Sequence, residues 1–103
     1  VKLEPRASMV AAEGSPELED IVKEAIVEVL GGEGLVPAPV TPGGEDFHFY
    51  KMTYPNLQAT MVGLGTGLSP GLHHPNMSFN LDALLNGVKI LSLALVKVLE
   101  QKA

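Results

Sequence analysis

The stretch from Asn80 to about Gln101 limits the possible folds more than any other part of this 103-residue chain. Asn80 is a residue type that caps helices, and Asp82 puts negative charge in the first turn. Leu81, Leu84, Leu85, Val88, Leu91, Leu95, Val98 and Leu99 recur at helical spacing and form the main apolar stripe. Ile90, Leu93, Ala94 and Val96 widen the stripe beyond one face, leaving Asp82, Asn86, Lys89, Lys97 and Glu100 as a thin polar line. A helix of this kind has to be covered on most of its circumference. It does not cross a membrane, because Lys89 and Lys97 interrupt the run. Gly87 costs helix propensity and marks a close backbone contact.

Ser15 to Leu30 predicts a second, amphipathic helix. Ser15 is a good N-cap, Pro16 suits the first helical position, and Glu17, Glu19 and Asp20 face the positive end of the dipole. Leu18, Ile21, Val22, Ala25, Ile26, Val29 and Leu30 form its apolar face, and Gly31-Gly32 supplies a left-handed stop. Pro37 and Pro39 confine Leu35–Val40 to an edge strand or extended segment. After the Thr41-Pro42-Gly43-Gly44 turn, Glu45–Tyr50 predicts a short helix. Phe47, Phe49 and Tyr50 are expected to anchor it. Leu57–Leu64 is the best candidate for a buried strand. Met52, Met61 and Met77 are expected to fill the core. Val1–Val10 begins with strand-like alternation that breaks at Pro5. Two strands are too few to cover two apolar helices. The expectation is therefore an α/β fold, part of a mixed sheet flanked by helices, with further strands from polypeptide outside this chain. The opening at Val1, without an initiator Met, is taken as the mark of a fragment or a cleaved product.

Composition removes several functions. Hydrophobic residues make up 46% and charged residues 18%, which excludes a disordered tail. The net charge of −5 and the lack of a basic patch argue against nucleic acid. Cys is absent, so disulfide scaffolds and all-thiolate zinc sites are excluded. No targeting or lipidation motif is visible, so the default compartment is the cytoplasm.

Three sets of titratable residues could carry chemistry. His73-His74, in the loop after the expected strand, are candidate metal ligands or bases, against the alternative of a polar surface loop. Adjacent side chains diverge, so one histidine of the pair would bind and the other would orient or pack. Glu45-Asp46 are hard oxygen ligands, or simply the acidic first turn of a helix. His48 suits packing better than ligation. Gly63-x-Gly65-x-Gly67 lacks the Lys-Ser/Thr pair of a phosphate loop and is rejected as one.

In order along the chain stand Gly43-Gly44-Glu45-Asp46-Phe47, Val62-Gly63-Leu64-Gly65, Leu72-His73-His74-Pro75 and the long helix closing at Leu99. This series resembles the C-terminal part of the metal-dependent amidohydrolases. That group includes hippurate hydrolase, N-acyl-amino-acid deacylases (aminoacylases) and related zinc carboxypeptidases and aminopeptidases. The resemblance covers roughly residues 15–101. It implies that residues 1–14 end a lid or dimerisation domain and its hinge, and that 15–103 belong to the catalytic domain. It also implies that His73 is the last histidine ligand of a two-metal centre, while His74 falls at a variable position. Gly43, Gly44, Glu45 and Asp46, with His74, would line the substrate cleft. Ala11–Pro16 departs from the proline-rich stretch that the family often has before the first helix.

The resemblance further implies two divalent ions, zinc, with manganese, cobalt and nickel as alternatives. They would activate water to hydrolyse an amide bond of an N-acyl amino acid or peptide. The remaining ligands and the catalytic glutamate would lie upstream, so this chain holds no catalytic residue and is expected to be inactive alone. Its partners would be the substrate, the remainder of its own polypeptide and, when intact, a second copy in a homodimer. No nucleic acid or membrane is expected. A different reading makes the chain a non-catalytic binding or assembly module that docks through its apolar C-terminal helix.

Overall fold

The computed structural model describes residues 1–5 and 7–101. Helix α1 spans Pro16–Leu30, α2 spans Phe49–Thr53 and α3 spans Ala83–Gln101. Single 3₁₀ turns stand at Gly32–Gly34 and Asp46–His48. No helix among the described residues is long and apolar enough to cross a membrane.

Helix α1 starts where the sequence places its cap. Ser15 is extended (φ −90°, ψ 116°) and Pro16 takes the first helical position. The Ser15 hydroxyl, however, does not cap the helix. It accepts a 2.9 Å hydrogen bond from the Ala59 amide, while the Ser15 amide donates at 2.9 Å to the Ala59 carbonyl. Both residues are buried. This pair ties the start of α1 to the segment that runs on toward α3. At the other end Gly31 takes φ 79° and ψ 171°, a glycine-only conformation rather than the left-handed helical one. Its amide still closes the helix by donating to the Val27 carbonyl at 2.8 Å.

The core lies between α1 and α3. Ile21 and Ala25 from α1 meet Ile90 and Ala94 from α3, with Val22, Ile26, Val29, Leu93 and Val98 packed around them. Ala25 is fully buried, and Ile90 is 3% exposed. Removing a side chain of that size from water contributes about 1.5–3 kcal/mol. The packed face of α3 is not the leucine-rich stripe that the spacing favours. Leu84, Leu85, Val88, Leu91, Leu95 and Leu99 are all exposed. Ala94, 7% exposed, sits in the packed face, where its small side chain permits close approach of the two helices. A Cβ on Gly87 would stand 2.9 Å from the Leu64 Cδ2 atom, so the expected close contact is present.

The expected mixed α/β sheet is absent. Among the described residues no strand forms, and the only β-type pairing is the isolated antiparallel bridge between Ser69 and Ser78. The cause is a lack of partners. Leu35–Val40 carries two prolines and is largely exposed, so it cannot complete a ladder with 57–64. Val1–Val10 also forms no strand, and Arg6 within it lies outside the described residues. Of the expected strand 57–64 only Ala59 is buried. Met52, Met61 and Met77 are exposed and fill no core.

Lys97 belongs to the helix interface rather than to an outer polar line. Its ammonium lies 2.6 Å from Glu28 Oε1 and 3.5 Å from Glu24 Oε2, and its side chain is 19% exposed. The hydrogen bond to Glu28 is the main influence holding the ammonium above its ordinary pKa. Partial burial opposes this, and the charges of both carboxylates reinforce it. A lysine pKa that is raised on folding contributes stability that is fully present below the unfolded value and lost as pH climbs through the folded one. Lys97→Met should therefore lower the melting temperature at pH 7. In circular dichroism melts, the gap to the parent should narrow only above the ordinary lysine range, about pH 10.4. The buried contact makes a second prediction. Ile90→Ala should cost about 2–5 kcal/mol in urea unfolding, whereas Leu95→Ala on the outward face should cost far less.

Candidate functional site

The histidine loop is closed at its neck. Ser69 and Ser78 exchange backbone hydrogen bonds of 3.0 and 2.8 Å, and the Asn80 amide donates to the Thr66 carbonyl at 2.9 Å. Asn80 then turns the chain into α3, its side-chain oxygen accepting from the Asp82 amide at 3.0 Å. Inside the neck, the His74 amide donates to the Gly71 carbonyl at 3.3 Å and the Met77 amide to the His74 carbonyl at 3.1 Å. The Ser69–Pro70 peptide is cis.

The two histidines have different roles in this loop. His74 Nδ1 accepts a 3.0 Å hydrogen bond from the Asn76 amide. A backbone amide only donates, so this nitrogen acts as the acceptor and is occupied in holding the turn. His73 makes no hydrogen bond with the described residues, and its ring is exposed. It has φ 64°, the only non-glycine residue with a positive φ among those described. Histidine tolerates that region better than most side chains, although strain there is common at functional positions.

The acidic turn forms a separate feature. Glu45 is extended and exposed, and Asp46 begins the 3₁₀ turn that leads into α2. Gly43 donates to the Thr41 hydroxyl at 3.3 Å. Gly44 faces Met9: a Cβ there would lie 2.8 Å from the Met9 Cγ atom. Its open side is thus used by the N-terminal segment. No hydrogen bond or ion pair among the described residues joins His73 or His74 to Glu45 or Asp46. Phe47 packs edge-on against His48 and Tyr50, with ring centres 5.7 and 5.9 Å away. Phe47 and Phe49 are half-buried, whereas Tyr50, expected to anchor the helix to the core, is exposed and touches only the Phe47 ring edge-on among the aromatic contacts.

Two connections gave no sequence signal. The first is the use of Ser15 to hold Ala59. The second is Lys51, which donates to the Gly14 carbonyl at 3.4 Å and lies 3.7 Å from Glu13. Both depend on contacts between residues more than thirty positions apart. A cavity of about 570 Å³ also opens between α1, α3 and the 60–65 segment, walled by Ile26, Leu30, Ile90 and Leu91 with Asn86 at its polar side.

The donor set bears on metal chemistry. A zinc site needs three or four ligands. Among the described residues no group of three or more His, Cys, Asp or Glu could hold an ion. His73 offers one imidazole, which is not a complete centre.

A loop that presents an unbonded histidine, an acidic turn and a helix pair are the parts on which comparison with known proteins bears. The sequence profile of peptidase family M20/M25/M40 matches residues 1–97. The chain belongs to that family. Membership supports hydrolase function in general. It also agrees with the metal-dependent amidohydrolase resemblance at the level of the superfamily. Among curated proteins, "Putative glutamate–cysteine ligase 2-3" of Rhodococcus jostii (strain RHA1) is 34% identical over 87 residues, covering 84% of this chain and 11% of that protein. The chain thus spans about a tenth of the length of the curated relative it matches. No solved structure matches.

The backbone at His73 yields a prediction independent of ligands. His73→Asn should keep the loop, while the β-branched His73→Ile should be less stable than His73→Asn by about 1–2 kcal/mol in urea unfolding.

Proposed function

We propose that this chain is part of a hydrolase that cleaves an amide bond of an N-acyl amino acid or a peptide. His73 serves in it as one imidazole ligand to a divalent ion of a two-metal centre, zinc first among the candidates. The remaining ligands and the catalytic glutamate come from polypeptide outside these residues. The support is the family match across residues 1–97, joined to the single unbonded, exposed imidazole in a loop whose other histidine is engaged. His74, Gly43, Gly44, Glu45 and Asp46 are the proposed lining of the substrate cleft. A homodimer of the full-length protein belongs to the same proposal. The ligase named in the Rhodococcus relative is not carried to this chain, since 89% of that protein lies outside the match.

A second reading has its own observation. The outward leucines of α3 suit a docking face, which favours a non-catalytic assembly module. Metal analysis of the full-length protein separates the two, because a module binds no stoichiometric metal.

In the full-length enzyme, His73→Ala should reduce metal occupancy and remove most amide hydrolysis, while His74→Ala should retain more of both. Occupancy is measured by elemental analysis and turnover with an N-acyl amino acid. Two ions bound and full activity in the His73 variant would reject the proposed role.

A further inference from the structure

The acidic turn is carried on a spur of its own. From Glu45 to Leu57 the backbone bonds mainly to itself. The His48 amide donates to the Glu45 carbonyl at 3.4 Å, and the Phe49 amide donates to the Asp46 and Phe47 carbonyls. The Tyr54 amide donates to the Tyr50 carbonyl and the Leu57 amide to the Tyr54 carbonyl, each at 2.9 Å. The 3₁₀ turn and α2 thus continue one another, with Glu45 and Asp46 at their start. Among the described residues the backbone of neither comes close to that of α1 or α3. The next ties to the start of α1, Gln58 to Glu17 and Ala59 to Ser15, lie beyond the end of the spur.

Lys51, in the middle of α2, bridges that gap. Its ammonium donates to the Gly14 carbonyl at 3.4 Å and lies 3.7 Å from Glu13 Oε1. The lysine side chain is 21% exposed, whereas that of Glu13 is 80% exposed. A carboxylate so well solvated adds little to an ion pair. The carbonyl is the durable partner, and it is held firmly. Gly14 precedes Ser15, whose amide and hydroxyl are both committed to Ala59. The Glu19 carboxylate fills the place that a Cβ on Gly14 would take. A second contact stands at the other end of the turn, where Met9 lies over Gly44. The acidic pair is therefore bracketed. Met9 meets the residue before Glu45, Lys51 holds the helix after Asp46, and both contacts run to the 9–14 segment.

We propose that Lys51 is a positioning residue for the acidic turn. By fastening α2 to the Gly14 carbonyl it sets where the turn stands relative to the start of α1, and hence where Glu45 and Asp46 present their carboxylates. The proposal rests on the reading of that turn as part of the substrate cleft. Lys51 itself acts through the turn and meets no substrate. A lining group displaced by about 1 Å loses much of its effect on a bound substrate.

The test compares the full-length protein with its Lys51→Met, Lys51→Arg and Glu13→Gln variants. Hydrogen exchange read by mass spectrometry reports the spur, and turnover of an N-acyl amino acid reports the cleft. Lys51→Met should speed exchange about tenfold across 48–54 and leave α1 and α3 as protected as in the parent. It should raise KM about fivefold while kcat stays within about twofold. A carbonyl needs only one donor, so Lys51→Arg should restore both values. Glu13→Gln should change neither. Unchanged exchange in Lys51→Met would overturn the proposal. Protection lost equally from α1 and α3 would also overturn it, since Lys51 would then serve general stability. Faster exchange with KM unaltered would overturn it too, because the turn would not meet substrate. In a parent that cleaves no amide the hydrolase reading fails, while the exchange data still decide whether Lys51 holds the turn.

Discussion

The close approach of α1 and α3 holds the rest of the molecule in place. It rests on small side chains as much as on large ones. Ala25 is fully buried, Ala94 nearly so, and Ile21 and Ile90 fill the space that the alanines leave. Lys97 closes the same seam by pairing with two carboxylates of α1, Glu24 and Glu28. The 60–65 segment can lie against this pair only because Gly87 gives Leu64 room. Ser15 and Ala59 then fix where that segment begins, and Thr66 and Asn80 fix where it turns away. The histidine loop hangs from the far end of this frame. Its position is therefore set by helix packing some residues away, and not by contacts of its own tip.

The division of work between the adjacent histidines follows from backbone geometry. A left-handed residue at 73 turns the chain so that its neighbour can accept from the Asn76 amide. One imidazole becomes part of the scaffold, and the other is left to the solvent. Within this loop, only the second has both ring nitrogens free of hydrogen bonds to the described residues. The acidic turn at 45–46 is built differently, on glycines and a 3₁₀ turn, and among the described residues it has no bonded link to the loop.

Local signals in the sequence were legible where the cause was local. The cap position of Ser15, the proline after it, the stop at Gly31 and the contact at Gly87 all rest on properties of single residues or short spacings. The helices at Pro16–Leu30 and Ala83–Gln101 follow from periodicity. What was not legible depends on partners. Periodicity identified the stripe of leucines on α3 but could not say that the side carrying Ile90 and Ala94 would face α1. Hydropathy marked 57–64 as strand-like, yet a strand exists only when a neighbour supplies its ladder, and none of these residues does so. The family itself was visible in the order of short motifs, each weak alone, and the match over residues 1–97 bears out that order at the superfamily level.

The crossed serine bonds at 69 and 78 isolate the tip from the body of the protein. A tip joined to its scaffold through one such clasp can change its chemistry without disturbing the helices. Substitutions between the two serines should therefore alter the tip while leaving the α1–α3 packing intact. Evolution could retune such a tip in steps, with the load-carrying helices left unaltered.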